Sequence, residues 1–308
     1  MSGQPRSALW RLVHHRMARW ALAVIALLIL AALVGPLLVK YNGAEQLDIV
    51  ALKNRPPSWA HPFGTDQYSR DVLTRVLYGA RISLAVATLA VLLSTTVGVA
   101  YGLVAGYAGG RVDNAMMRLL DGFMSIPRVL LLLAVLTLWS PVPLSGLIAL
   151  LGLSGWFGVS RLVRAETRIV RAQEYVESAR ALGVPTMRIL WRHVLPNIAA
   201  PVLVASTLAV GNVIALEAGL SYLGIGAQEP TPSWGSIFFD GVEFFAGNWW
   251  VVLFPGIAIV VTVLAFNVLG DALRDVADPR QVDVARRLPE STLTDPPSMS
   301  ALQPSENG

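Results

Sequence analysis

Residues 174–183 read Glu174-Tyr-Val-Glu-Ser-Ala-Arg-Ala-Leu-Gly183, and Pro185 follows two positions later. Good helix formers run up to a glycine and then a proline, which is a helix stop. A second helix is expected to start at Pro185, where a first-turn proline is tolerated. It would carry Met187, Leu190, Trp191 and Val194 on one apolar stripe, with Arg188 and Arg192 on another face. Seven arginines and three glutamates lie between Arg161 and Arg192. Each would cost about 2.5–3.5 kcal/mol at a bilayer centre. This island therefore lies outside the hydrocarbon, and the apolar runs on either side of it lie within.

The whole composition agrees. Of 308 residues, 54% are hydrophobic and 14% charged, against roughly 25% charged in soluble domains. Such a chain cannot hide its apolar surface from water, so the lipid bilayer is its solvent. The net charge of +4 is spread along connections and forms no single stripe, so no nucleic-acid partner is expected. There is no cysteine, and the four histidines show no metal-ligand spacing, so neither metal nor cofactor is expected.

Six spans are expected, at about 21–39, 82–106, 125–139, 144–159, 200–223 and 249–268. A tail over 1–20 carries Arg6, Arg11, Arg16 and Arg19 and leads into an uncleaved first helix. From Asp71, the spacing of Val72, Val76 and Leu77 beside Arg70, Arg75 and Arg81 predicts an amphipathic helix lying on the membrane surface and leading into the second span. Gly98, Gly102 and Gly106 recur every four residues, a seam for close helix packing inside one bundle. Thr88, Ser94, Thr95 and Thr96 read as helix-to-helix glue. Asp113 and Asp121 read as solvated helix ends, and Asn267 and Asp271 as the inner end of the sixth span. Residues 281–308, rich in Pro, Ser and Asp, are expected to form a disordered tail, which leaves 21–280 as the membrane domain.

Six crossings put both tails, the connection before 125 and the island at 161–199 on one side. The other side holds six Lys and Arg, all between Lys40 and Arg81. The positive-inside rule makes the island and both termini cytoplasmic. Only Lys40 and Lys53 occur, and neither follows a glycine, so no phosphate-cradling loop is present. Any nucleotide energy must come from another subunit.

Glu177-Ser-Ala-Arg-Ala-Leu-Gly183 followed by His193-Val-Leu-Pro196 resembles the EAA loop of permease subunits of bacterial ABC importers. Ser178 replaces the middle alanine of that pattern, and His193 stands where isoleucine is frequent. The likeness widens through His61-Pro-Phe-Gly-Thr-Asp66, Ser69-Arg-Asp71, Tyr78-Gly-Ala-Arg-Ile-Ser-Leu84, Glu217-Ala-Gly-Leu-Ser-Tyr-Leu-Gly224, Pro232-Ser-Trp-Gly235 and Phe266-Asn-Val-Leu-Gly-Asp271. Their order is similar to the C-type permease subunit of dipeptide, oligopeptide and nickel importers.

That resemblance implies an all-α membrane protein of type I ABC importer permease architecture, performing no bond chemistry itself. It implies a coupling helix in the bacterial inner membrane's cytoplasmic face. Glu174, Glu177, Ser178, Ala179, Arg180, Gly183, His193 and Pro196 would form the ATPase interface. Its implied partners are a homologous second permease, two ABC ATPase subunits and an extracytoplasmic solute-binding protein. The implied solute is a di- or oligopeptide, with a nickel complex as the alternative.

For the pathway, the candidates are Asn212 and Glu217 of the fifth span. An intramembrane carboxylate is either a pathway group or a local cap at the interface, and the residues leave both open. A secondary transporter would need ionisable residues near midplane in paired broken helices. A membrane enzyme would need a convergent catalytic set. Neither pattern is seen.

Overall fold

The structure is a computed structural model that describes residues 12–139, 141–227, 230–242 and 247–277. Most of the amino tail and the whole of 281–308 therefore lie outside the described residues, and with them the expectation of a disordered tail. The described elements are helices: α1 (Arg16–Leu38), α2 (Val72–Ala108), α3 (Gly110–Met124), α4 (Arg128–Leu138), α5 (Leu144–Leu153), α6 (Trp156–Arg171), α7 (Glu174–Ala181), α8 (Thr186–Ile189), α9 (Leu195–Tyr222), α10 (Trp234–Val242) and α11 (Trp249–Ala277). Among the described residues, strand-like pairing amounts to one isolated bridge between Thr65 and Asp71, in the connection before α2.

Among the described residues, five helical stretches are long and apolar enough to cross a membrane: Arg16–Leu38, Val72–Ala108, Leu144–Arg171, Thr186–Tyr222 and Trp249–Ala277. A sixth crossing exists only if α3 and α4, bent by 67° at their junction, are taken as one broken span. The cause of the bend is Pro127, which sits at the N-cap of α4 and cannot donate into a continuing helix. Eleven residues of α4 reach about 16 Å, half the hydrocarbon thickness.

The helix expected from Asp71 does lead into the second span, as the first part of α2, a continuous helix of 37 residues, but it does not lie on a surface. Asp71 starts it by accepting the Thr74 N–H at 2.8 Å. Val72 and Val76 pack with Trp234, Ile237, Trp250 and Val251 in a buried cluster, so the amphipathic face meets protein and not lipid. Arg70 and Arg75 beside it are buried too, at 4% and 2% exposure, while Arg81 is exposed.

The glycine seam joins α2 to α6. A Cβ on Gly98 would sit 2.7 Å from the Val159 side chain, on Gly102 2.6 Å from the Ser160 carbonyl, and on Gly106 2.8 Å from the Arg164 carbonyl. Only hydrogen fits there. A second core lies where Val86, Ala90, Leu132, Leu136, Leu147, Leu151 and Ile214 pack between α2, α4, α5 and α9. Thr95 and Ser206 share a hydrogen bond of 2.9 Å between α2 and α9, the glue role expected of that threonine.

Candidate functional site

The elbow at 172–196 is built by local chemistry. Glu174 and Glu177 lie in the first turn of α7 and Arg180 in its last, each sign matching the helix dipole. The end is a Schellman motif: Gly183 N–H donates to the Arg180 carbonyl at 3.0 Å and Val184 N–H to the Ala179 carbonyl at 3.1 Å. Gly183 takes φ +73° to close it, and a Cβ there would meet nothing within 4 Å.

Val176 and Ala179 turn inward against Val163, Val170, Ile189, Val194 and Ile198. Glu174, Glu177, Ser178, Arg180 and Gly183 remain exposed, together with Tyr175 and Leu182. Ala179 therefore departs from the other expected interface residues, because its methyl belongs to the packed base of the elbow.

The stripe expected after Pro185 is split. Ile189 and Val194 are buried, while Met187 and Trp191 are exposed. With Leu190 and Leu195 they wall an apolar groove of about 470 Å³ against Val99, Leu103 and Val104 of α2. Residues 190–194 form a π-turn in which Leu195 N–H reaches the Leu190 carbonyl. Pro196 has no N–H to continue the α-helical ladder, which accounts for the wider turn there. Pro196 itself is exposed, and the partly exposed His193 ring lies 6.0 Å from that of Tyr175.

Three side-chain contacts tie α3 to α6 above this elbow. Arg164 donates from Nη2 to Asp113 Oδ2 at 2.7 Å and from Nε to Oδ1. Arg161 pairs with Asp121, and the Phe123 and Phe157 rings stack at 5.9 Å. Asp121 is exposed as expected, but Asp113 is 4% exposed and paired, not solvated. The sequence showed both acids; their partners lay about 40–50 residues ahead, beyond any local signal.

The two candidate pathway residues part company. Asn212 is exposed on α9. Glu217 is buried, 1% exposed, between α9, α2 and the start of α10. It accepts from Ser221 Oγ at 2.9 Å and Ser83 Oγ at 3.5 Å. Ser83 Oγ in turn accepts the Trp234 N–H at 3.1 Å. Close packing allows this: a Cβ on Gly235 would lie 2.7 Å from Ala218 Cα.

The connection over 39–71 is fastened by charges that sequence reasoning left without partners. Asp66 is fully buried and accepts from Arg70 Nε at 2.6 Å and Arg75 Nη1 at 2.8 Å. Asp240 of α10 accepts from Arg70 Nη2 and Arg75 Nη2, both at 2.9 Å. His61 Nδ1 lies 2.8 Å from Asp71 Oδ2, and Trp250 Nε1 donates to the Thr65 carbonyl at 3.0 Å. On the exposed part of the loop, backbone N–H groups of Ala51 and then Val50 hold the Asp48 carboxyl below its usual range. Among the described residues no cluster of three or more His, Cys, Asp or Glu stands ready for a metal.

A helical bundle with a rigid, glycine-stopped elbow outside its spans defines a membrane permease component. The chain belongs to the family of binding-protein-dependent transport system inner membrane components, which it matches over residues 98–283. Residues 4–57 match the N-terminal transmembrane domain of oligopeptide transport permease C. Among similar proteins are the dipeptide transport system permease protein DppC of Bacillus subtilis, 40% identical over 88% of this chain and 84% of that one. The oligopeptide transport system permease protein OppC of the same organism is 36% identical over 89% of each. The di/tripeptide permease DppC of Pseudomonas aeruginosa is 35% identical over 91% of this chain and 94% of that one.

A solved inward-facing structure of the MetNI methionine ABC transporter shares the fold. Its TM-score is 0.55 at 18% identity, over 66% of this chain and 97% of that one. The chain is thus a multi-pass membrane component of a binding-protein-dependent ABC transporter, and ATP hydrolysis resides in other subunits.

Proposed function

We propose that the chain is one of two homologous permeases lining a peptide pathway in the bacterial cytoplasmic membrane, with both termini cytoplasmic. Its elbow docks on one of two ABC ATPase subunits. The observation that carries this reading is α7 itself: an exposed face of Glu174, Glu177, Ser178 and Arg180 on a packed base of Val176 and Ala179, stopped by Gly183. His193 and Pro196 flank the same surface. ATP binding draws the ATPases together and pulls α7, the spans rotate, and the pathway opens outward to a loaded solute-binding protein. Hydrolysis restores the inward state.

Peptides are favoured as solute over a nickel complex because the relatives at 35–40% identity carry peptide names. Asn212, exposed on α9, is the pathway contact; Glu217 serves the pathway from behind by fixing α10.

Co-purification tests the docking. Detergent-extracted protein is expected to retain its ATPase subunits, and Gly183→Val or Gly183→Asp to lose them. Retention unaffected by either change would defeat the docking role. Uptake of radiolabelled dialanine, competed by di- and oligopeptides but not by nickel, tests the solute class.

A further inference from the structure

Two helix breaks meet at one side chain. The first is the 67° bend between α3 and α4, at Ser125, Ile126 and Pro127. The second separates α5 from α6 at Ser154 and Gly155. Proline and serine–glycine pairs are the usual sites of such kinks. Arg128, the first residue of α4, spans both: Nε donates to Ser154 Oγ at 3.0 Å, and Nη2 donates to the Leu151 carbonyl at 2.9 Å.

The second bond answers a specific deficit. At the end of α5, Ser154 N–H reaches the Leu150 carbonyl, but Gly155 N–H turns back to Gly152 at 3.1 Å. The Leu151 carbonyl, which Gly155 would have served in a continuing helix, is left over. Ser154 Oγ, at 3.1 Å, and Arg128 supply its donors. A cation there also suits the negative end of α5.

Below the breaks, α3 and α6 are braced by Asp113–Arg164, Asp121–Arg161 and Phe123–Phe157, and α6 packs with α7 through Val170 and Val176. Above them, Leu132, Leu136, Leu147 and Leu151 sit in the core of the spans. We propose that Arg128 is a positioning residue of the transport cycle, a latch that makes α4 follow the braced α3–α6–α7 unit when the elbow is driven. The proposal rests on the docking reading of α7. Without the latch the elbow would still move α3 and α6, and the exposed Val129 and Leu130 of α4 would lag behind.

The chain has no cysteine, so spin labels go on Leu119→Cys in α3 and Leu138→Cys in α4, both exposed. Pulsed distance measurement is made on the complex with its ATPase subunits, nucleotide-free and trapped with ATP and vanadate. The parent is expected to shift between two narrow distributions. With Arg128→Met the trapped-state shift should broaden or vanish, and dialanine taken up per ATP hydrolysed should fall roughly two- to tenfold. Arg128→Lys, with one donor group for two acceptors, should recover part of both.

An Arg128→Met complex with the parental shift and ratio overturns the latch. If that variant does not assemble, Ser154→Ala decides. It is expected to broaden the same distance, and a distribution identical to the parent's overturns the proposal. Failure of the parent to retain ATPase subunits would instead sink the docking reading beneath it.

Discussion

Arg164 of α6 grips both carboxylate oxygens of Asp113 of α3, with Nη2 at 2.7 Å from Oδ2 and Nε on Oδ1. Planar two-point pairing of this kind fixes orientation as well as distance. It ties a helix that makes little close backbone contact with α6 to the one that leads into the elbow. Replacing Asp113 with Asn should weaken this brace by about 1–3 kcal/mol. A double-mutant cycle with Arg164→Gln, read from thermal melting in detergent, is expected to show strong non-additivity. Additive effects would mean that the two side chains act separately.

Gly102 lies against the backbone of α6, where a Cβ would come within 2.6 Å of the Ser160 carbonyl and 2.7 Å of Val163. Neither neighbour can give way without moving a helix. Gly102→Val should therefore destabilise the protein by about 1–3 kcal/mol through overpacking. Gly158→Ala, where a Cβ meets nothing within 4 Å, is the control and should be neutral or slightly stabilising. Equal melting points for the two variants would contradict the seam.

Much of this architecture is written in local sequence, because membrane helices and turns obey short-range rules. The apolar runs, the stop at Gly183 with Pro185, and the Gly98, Gly102 and Gly106 repeat all carry their meaning within a few residues. The charged clusters do not. Arg70 and Arg75 follow Asp66 closely, but Asp240 comes from 165 residues or more away. Helical spacing alone put these arginines on an exposed surface helix. Asp113 was misjudged as solvated for the same reason. Pro127 marks the start of the short third span expected at 125–139, but the 67° angle to the preceding helix depends on packing that no local signal carries.

Ser178 lies on the exposed face of α7, and the chain is free of native thiols. Ser178→Cys thus provides a clean probe of sidedness. In intact cells, a membrane-impermeant maleimide is expected to leave it unlabelled, and labelling should appear once the cells are opened. Co-assembled ATPase subunits should shield it further. Labelling from outside an intact cell would reverse the orientation proposed for every span.

Glu217 accepts hydroxyls from Ser83 and Ser221, and Ser83 carries the first N–H of α10 through Trp234. Truncation to Ala strands these donors in a buried site, so Glu217→Ala should cost about 1–3 kcal/mol. Hydrogen exchange over α10 should rise in parallel. Glu217→Gln keeps an acceptor of the same shape and should retain most protection. If Gln and Ala left α10 equally protected while abolishing uptake, the carboxylate would act directly in the pathway and not as a brace.

Asp66 is fully buried and pairs with Arg70 and Arg75, both of which also pair with Asp240, 18% exposed at its side chain. Removing one member of a buried charge cluster costs more than its bonds, because the remaining charges stay desolvated. Asp66→Ala removes the fully buried carboxylate from between two buried guanidinium groups, and should destabilise the loop over 39–71 by about 3–5 kcal/mol. Asp240→Ala, at the wetter end, should cost less, since water can reach the freed Nη2 atoms. Limited proteolysis within that loop gives the comparison directly. The predicted order of resistance is parent, then Asp240→Ala, then Asp66→Ala. The reverse order would show that the tie to α10, and not the buried carboxylate, holds the loop in place.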